Sequence, residues 1–161
     1  MFPADELTVK PNEQAVIYRD HRYFRTLGPG RHDLPRVTRF FLQTRNPRID
    51  VRIIRTDGRR LNGDPISVRS SDGETFKFKP VIDFKVTNPR LTAELPEKEE
   101  DRLKTDALLA LERVAGLRTN ADLFDINMRS DLEAAFKSQL HAYAGAYGIR
   151  ISDAKLIGNL G

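Results

Sequence analysis

The stretch Thr75-Phe76-Lys77-Phe78-Lys79-Pro80-Val81-Ile82-Asp83-Phe84-Lys85-Val86 alternates closely enough to set its own geometry. In an extended chain Phe76, Phe78, Pro80, Ile82, Phe84 and Val86 share one side, while Lys77, Lys79, Asp83 and Lys85 take most of the other. At ~3.3 Å per residue, the run from Phe76 spans about 36 Å, long for a single strand. Pro80 has no amide hydrogen for a ladder, so the sequence predicts an edge position or a bulge at mid-strand. Asn88-Pro89 ends the run.

Upstream of this strand, residues 56–75 are rich in turns: Asp57-Gly58, Asn62-Gly63-Asp64-Pro65 and Asp72-Gly73, with room for one short strand at Ile66 and Val68. Before them, Ile49, Val51 and Ile53 alternate with Asp50 and Arg52, as a half-buried strand should. Nearer the start, Ala15–Arg19 and Tyr23–Leu27 flank Asp20-His21-Arg22 and predict a short hairpin, with His21 one of the few non-glycine residues that visit positive φ. In Leu27-Gly28-Pro29-Gly30-Arg31, Pro29 and Gly30 occupy the second and third positions of a type II turn.

Downstream, the period changes from 2 to 3.6. Leu103, Ala107, Leu111 and Val114 step along one helix face, with Leu108 and Ala115 widening the stripe, until Gly116 stops it. Thr119-Asn120-Ala121-Asp122 opens a short helical turn. A second long helix runs from about Met128 to Tyr147 with Leu132, Phe136, Leu140, Tyr143 and Tyr147 on one face, and Gly148 stops it. Gly148-Ile149-Arg150-Ile151 returns to alternation, so a last strand rejoins the sheet. The fold class is therefore α+β: a mostly antiparallel sheet of about five to six strands, two helices packed on it and a closing strand. Residues 1–8 form a polar lead-in, and residues 9–161 a single domain.

With 161 residues, the chain has the length of one domain and can bury its own core. It has no cysteine, which removes disulfides, thiolate zinc sites, iron–sulfur clusters and cysteine nucleophiles. The longest unbroken apolar run, Ala107 to Leu111, is far short of the ~18–20 residues that cross a bilayer, and no apolar signal-peptide core follows Met1. His21, His32 and His141 lie apart, with no metal-ligand spacing. Ser67, Ser70 and Ser71 lack a nucleophile elbow, and Gly28-x-Gly30 lacks the rest of any phosphate or dinucleotide loop. The sequence thus offers no catalytic residue, cofactor site or metal site. The acidic run Glu97, Glu99, Glu100 and Asp101 suits a helix start.

Charge is uneven. Residues 19–60 hold twelve arginines and no lysine against four acids (Asp20, Asp33, Asp50, Asp57), a net of +8; residues 61–161 hold 14 basic and 16 acidic groups, a net of −2. Arginine forks suit phosphate, carboxylate or a neighbouring subunit, although a solvated strand surface would look the same. Tyr18, Tyr23, Phe24, Phe40 and Phe41 interleave with the arginines, the pattern a nucleic-acid platform would need, but aromatics in alternating strands more often face a core.

The order of these elements resembles the SPFH (band 7) domains of stomatins, prohibitins, flotillins and bacterial regulators of membrane proteases. The residues that carry the resemblance are Pro11 to Arg19, Tyr23 to His32 with its Gly28-Pro29-Gly30, Ser71 to Phe76, Phe84 to Pro89, and Leu108 through Gly116 to Ile151. His21 stands where many members have glycine, which touches only the turn. An anchor usually precedes such domains and a long coiled coil follows. The chain as given has neither, leaving open an excised domain or a soluble relative that resembles the shoulder domain of the major vault protein. The resemblance implies a non-enzymatic scaffold whose wedge-shaped protomers, built on the Thr75–Val86 strand and the Leu132–Tyr147 helix face, pack into rings or cages. It implies a cytoplasmic location, peripheral to a membrane or not, and homo-oligomeric partners. Arg19, Arg22, Arg25, Arg31, Arg36, Arg39, Arg52 and Arg55 are the expected contacts to a neighbouring protomer or an anionic membrane surface, with nucleic acid the alternative.

Overall fold

The computed structural model describes residues 5–34 and 48–158. The first part of the chain forms β1 (Asp5–Val9), β2 (Glu13–Arg19), β3 (Arg22–Leu27) and β4 (Gly30–Leu34), then β5 (Ile49–Arg55), β6 (Arg59–Asn62), β7 (Ile66–Arg69) and β8 (Thr75–Val86). Helices α1 (Pro89–Ala93), α2 (Glu99–Ala115), α3 (Asn120–Phe124) and α4 (Arg129–Ala144) follow, and then β9 (Ile149–Gly158). The α+β order is as the periodicity predicts, all the strand pairs are antiparallel, and they fall into three groups: β1 with β4, β3–β2–β5, and a sheet in which β8 is central. Asp5–Val9 lies largely within the stretch read as a polar lead-in, yet pairs with β4 after the Gly28-Pro29-Gly30 reversal.

Pro80 is neither at an edge nor in a bulge of its own strand. β9 runs along one side of β8, while β6 and β7 lie end to end along the other, and the handover between them falls opposite Pro80. Asn62 pairs with Val81 and Ile66 with Phe78, so residues 63–65 oppose only Lys79 and Pro80. The extra residue belongs to the partner edge. The Gly63 amide donates to the Pro80 carbonyl at 2.9 Å, and no partner is needed for the hydrogen Pro80 lacks. A Cβ on Gly63 would stand 2.7 Å from the Pro80 ring, so the two positions fit only with glycine there.

The apolar side of β8 is buried throughout, and with Ile149, Ile151, Ala154 and Leu156 of β9 it forms the floor of the main core. Leu103, Ala107, Ala110, Leu111 and Val114 of α2, and Leu132, Phe136 and Leu140 of α4, cover it. The Leu132–Tyr147 face is thus internal packing. Leu108, expected in the buried stripe, is exposed, and Ala110 faces the core instead, beside Leu111 as expected. Asp20 and His21 both adopt positive φ, at 50° and 67°, in the hairpin turn where His21 was expected to. In β5 the expected face is corrected, since Val51 and Ile53 are exposed and Ile54 is buried. Val51 and Ile53 lie opposite Ile17 and Ala15, on the side that the β1–β4 pair covers only in part with a small cluster around Val9, whereas Ile54 points into the main core.

Candidate interaction surface

Of the eight arginines that the sequence groups together, the structure describes six and separates them. Arg31 pairs with Glu6 at 2.7 Å, and Arg55 makes two hydrogen bonds to Asp57, at 3.1 and 2.7 Å, which hold that carboxyl below its usual range. Arg52 donates to the Ala93 carbonyl and, at 3.2 Å, to the Leu95 carbonyl, closing the C-terminal end of α1. These three have internal work. Arg19, Arg22 and Arg25 project from the β2–β3 hairpin, exposed and with no ion pair among the described residues, and the Arg25 guanidinium lies 4.8 Å over the Phe24 ring. Arg36 and Arg39, like Phe40 and Phe41, lie outside the described residues. Tyr18 and Tyr23 pack edge-on against each other and the main core, which leaves Phe24 as the exposed aromatic of the hairpin.

A cleft of about 430 Å³ lies where the hairpin turn, β5 and α1 meet. Its Arg48 and Arg52 are matched by Asp50 and Glu94, so it offers no net charge to an anion. Burial, followed by the Glu94 carboxylate, raises the Tyr18 phenol above its ordinary value. Another pair of acids serves the core: Glu99 and Glu100, at the start of α2, hold Arg59 at 2.9 and 3.3 Å while its guanidinium stacks 4.8 Å from Phe84. The acidic run expected only to suit the helix dipole therefore also ties α2 to β6.

A second concentration of positive charge lies elsewhere. Among the described residues α2 and α4 cover a single side of the β8 sheet, and the residues of the other side are exposed or half-buried. By strand register and alternation this side carries Arg60, Arg69, Lys77, Lys79, Lys85, Arg150 and Lys155, seven cations, against Asp83 and Asp153, a net of +5. Arg60 holds Asp83 at 2.8 and 3.2 Å, which keeps that carboxyl below its usual range. None of the outward residues of β6 to β9 is aromatic. A flat array of cations without stacking rings fits an extended anionic surface better than splayed bases.

The SPFH domain / Band 7 family model matches residues 7–160, nearly the whole chain, in agreement with the strand-helix-strand order just described. The chain belongs to the SPFH domain / Band 7 family. Membership makes it a scaffold-type domain, in a family known for non-enzymatic scaffold roles and for membrane or oligomeric association. No curated protein matches the chain. Among the described residues of this SPFH domain, no helix is long and apolar enough to cross a membrane, and no His/Cys/Asp/Glu cluster has the form of a metal site.

Summing charge by stretch of sequence hid the basic sheet face. The alternation that sends Phe76 to Val86 inward sends the lysines outward, but residues 61–161 also include the acids of the helical layer, and the total cancels to −2. Summation by strand face would have found it.

Proposed function

We propose that this SPFH domain is a non-enzymatic scaffold that self-associates into rings or cages. The observation that carries the reading is a set of large apolar side chains left in water on the connection between α2 and α4: Leu117 is 82% exposed, Phe124 61% and Ile126 81%. Apolar side chains this exposed within ten residues of one connection support a contact with another molecule. Heterologous contacts between identical copies close into rings when the rotation per copy allows it. Sedimentation velocity over a concentration series tests this: the weight-average coefficient should rise with concentration, and a constant monomer value up to high concentration overturns the reading.

A second reading, an anionic-surface binding module, is favoured by the open β8 sheet face with its net +5. Each basic residue beside an anionic leaflet adds about 1 kcal/mol. Co-sedimentation with phosphatidylserine-containing vesicles should be strong at low salt, weak at high salt and absent on phosphatidylcholine alone. A tight, salt-sensitive complex with an oligonucleotide and none with vesicles would replace the lipid surface by a nucleic acid.

A further inference from the structure

Charge is not spread evenly over the basic face of the β8 sheet. Its two acids, Asp83 and Asp153, stand directly opposite each other toward one end, where Arg60 holds Asp83. Toward the other end Lys79 lies across from Ile157 and Val81 across from Lys155, and Lys77 precedes Lys79 on the same side of β8. This end carries three lysines and no acid of β6 to β9, and none of the three makes an ion pair among the described residues. Asp64, in the β6–β7 connection, lines the hollow next to α2 together with Lys104. Between the lysines an apolar side chain is left in water: Ile157 is 49% exposed, with the half-buried Val81 diagonally across from it.

The exposed apolar connection between α2 and α4 has the opposite charge. Phe124 is braced by an edge contact with Phe76, at 4.9 Å between ring centroids, and Ile126 follows on the single-turn 3-10 helix Ile126–Met128. Asp125 lies between them in the chain, and Asp122 precedes them on α3. Asp72 is tied to the same connection, its carboxylate accepting from the Asn120 amide at 2.8 Å. Against these three acids, residues 117–126 hold one cation, Arg118, which leaves a net of −2. We infer that, in the self-association proposed above, the Phe124–Ile126 connection of one copy lies on the Ile157 end of the β8 sheet face of another. Phe124 and Ile126 cover Ile157 and Val81, and Asp122 and Asp125 meet Lys79 and Lys155. The occupant of this part of the face is thus a second copy of this chain. The two surfaces are different parts of one copy, so each copy keeps one of each for its neighbours, as a contact that propagates around a ring requires. Opposite charges around an apolar centre fix the register of such a contact and disfavour its reverse.

The inference rests on the self-association reading, and an exchange of charge separates the two. Lys79→Glu/Lys155→Glu makes both surfaces of a copy acidic. Asp122→Lys/Asp125→Asn makes both basic, and the asparagine keeps an acceptor for the Asn127 amide that Asp125 holds at 2.9 Å. Each variant alone should lose the rise of the sedimentation coefficient with concentration, and an equimolar mixture should regain it, because each surface then meets its opposite on the other variant. As a second measurement, Ile126→Cys and Ile157→Cys are introduced singly into the chain, which has no cysteine of its own, at sites that are both exposed. On mild oxidation of the mixture, the disulfide joining position 126 of one copy to position 157 of another should form in about tenfold excess over either like pair, because the contact raises the local thiol concentration. Equal amounts of like and unlike pairs, or charge variants that associate as the parent does, overturn this contact and leave self-association standing. A parent that stays monomeric at every concentration overturns both.

Discussion

Tyr147 shows how one residue ties the helices to the turn that leads into β9. Its hydroxyl donates to Asp106 Oδ2 at 2.6 Å inside the core, and Arg102 Nε lies 3.5 Å from the same oxygen. The Tyr147 carbonyl accepts from the Thr92 hydroxyl at 2.7 Å, so α1, α2 and the turn before β9 meet at this residue. Burial, and then the hydrogen bond to the Asp106 carboxylate, push the phenol well above its ordinary value near 10. A raised phenol pKa means that the folded state keeps a proton which the unfolded chain releases. The stabilisation is complete below about pH 10 and declines as pH rises beyond it. Tyr147→Phe should cost about 1–3 kcal/mol near neutrality, because Asp106 is left buried with Arg102 alone. It should also remove this residue's share of the alkaline loss. Urea unfolding of both proteins at neutral pH and above pH 10 checks this: the gap between them should narrow at the higher pH, and a gap that widens rules out the Asp106 bond as its source.

At the scale of elements, what the sequence made legible were the features with a local cause. The β8 alternation, the hairpin turned by Asp20 and His21, the α2 and α4 stripes and the return after Gly148 all have their determinants within a few residues, and all are present. What escaped depended on a partner elsewhere in the chain. Pro80 alone permits several arrangements, and only the meeting with Gly63 shows that the neighbouring edge, not β8, absorbs the missing hydrogen bond. β6 is a four-residue strand with a single buried residue, Leu61, too short to carry a period, and α1 has five residues whose start is set by Asn88, which accepts from the Leu91 amide. The apolar letters of β5 were right but their face was not, since Ile53 stays exposed while Ile54 joins the main core, and alternation cannot tell which of the two is the deeper. The described arginines of the basic segment scatter for a related reason. Net charge along a sequence says nothing of which guanidinium finds an internal carboxylate, and Arg31, Arg52 and Arg55 all have internal partners.

At the scale of the whole molecule, the helices on one side of the β8 sheet leave the basic side without a cover, and that arrangement should carry a measurable cost. Lys77 and Lys79 are two positions apart on one strand face, so their charges lie about 7 Å from each other and repel by roughly 0.6 kcal/mol in water. That pair opposes folding unless salt screens it. The Debye length falls from about 30 Å at 0.01 M to about 10 Å at 0.1 M, so moderate salt should remove much of the repulsion. For a chain of this size 1 kcal/mol moves Tm by about 2–4 °C, and the melting temperature should rise by a few degrees over that range. Lys77→Gln/Lys79→Gln should melt higher than the parent at low salt, respond less to added salt and bind anionic vesicles more weakly. Neutralising Arg25 instead should leave the salt response of Tm closer to the parent's, because it lies opposite Ile17 on the hairpin and not on this sheet. If the lysine variant loses stability at low salt, the lysines are held by partners within the fold. If it gains stability while losing the vesicles, the repulsion is the cost of keeping a docking face.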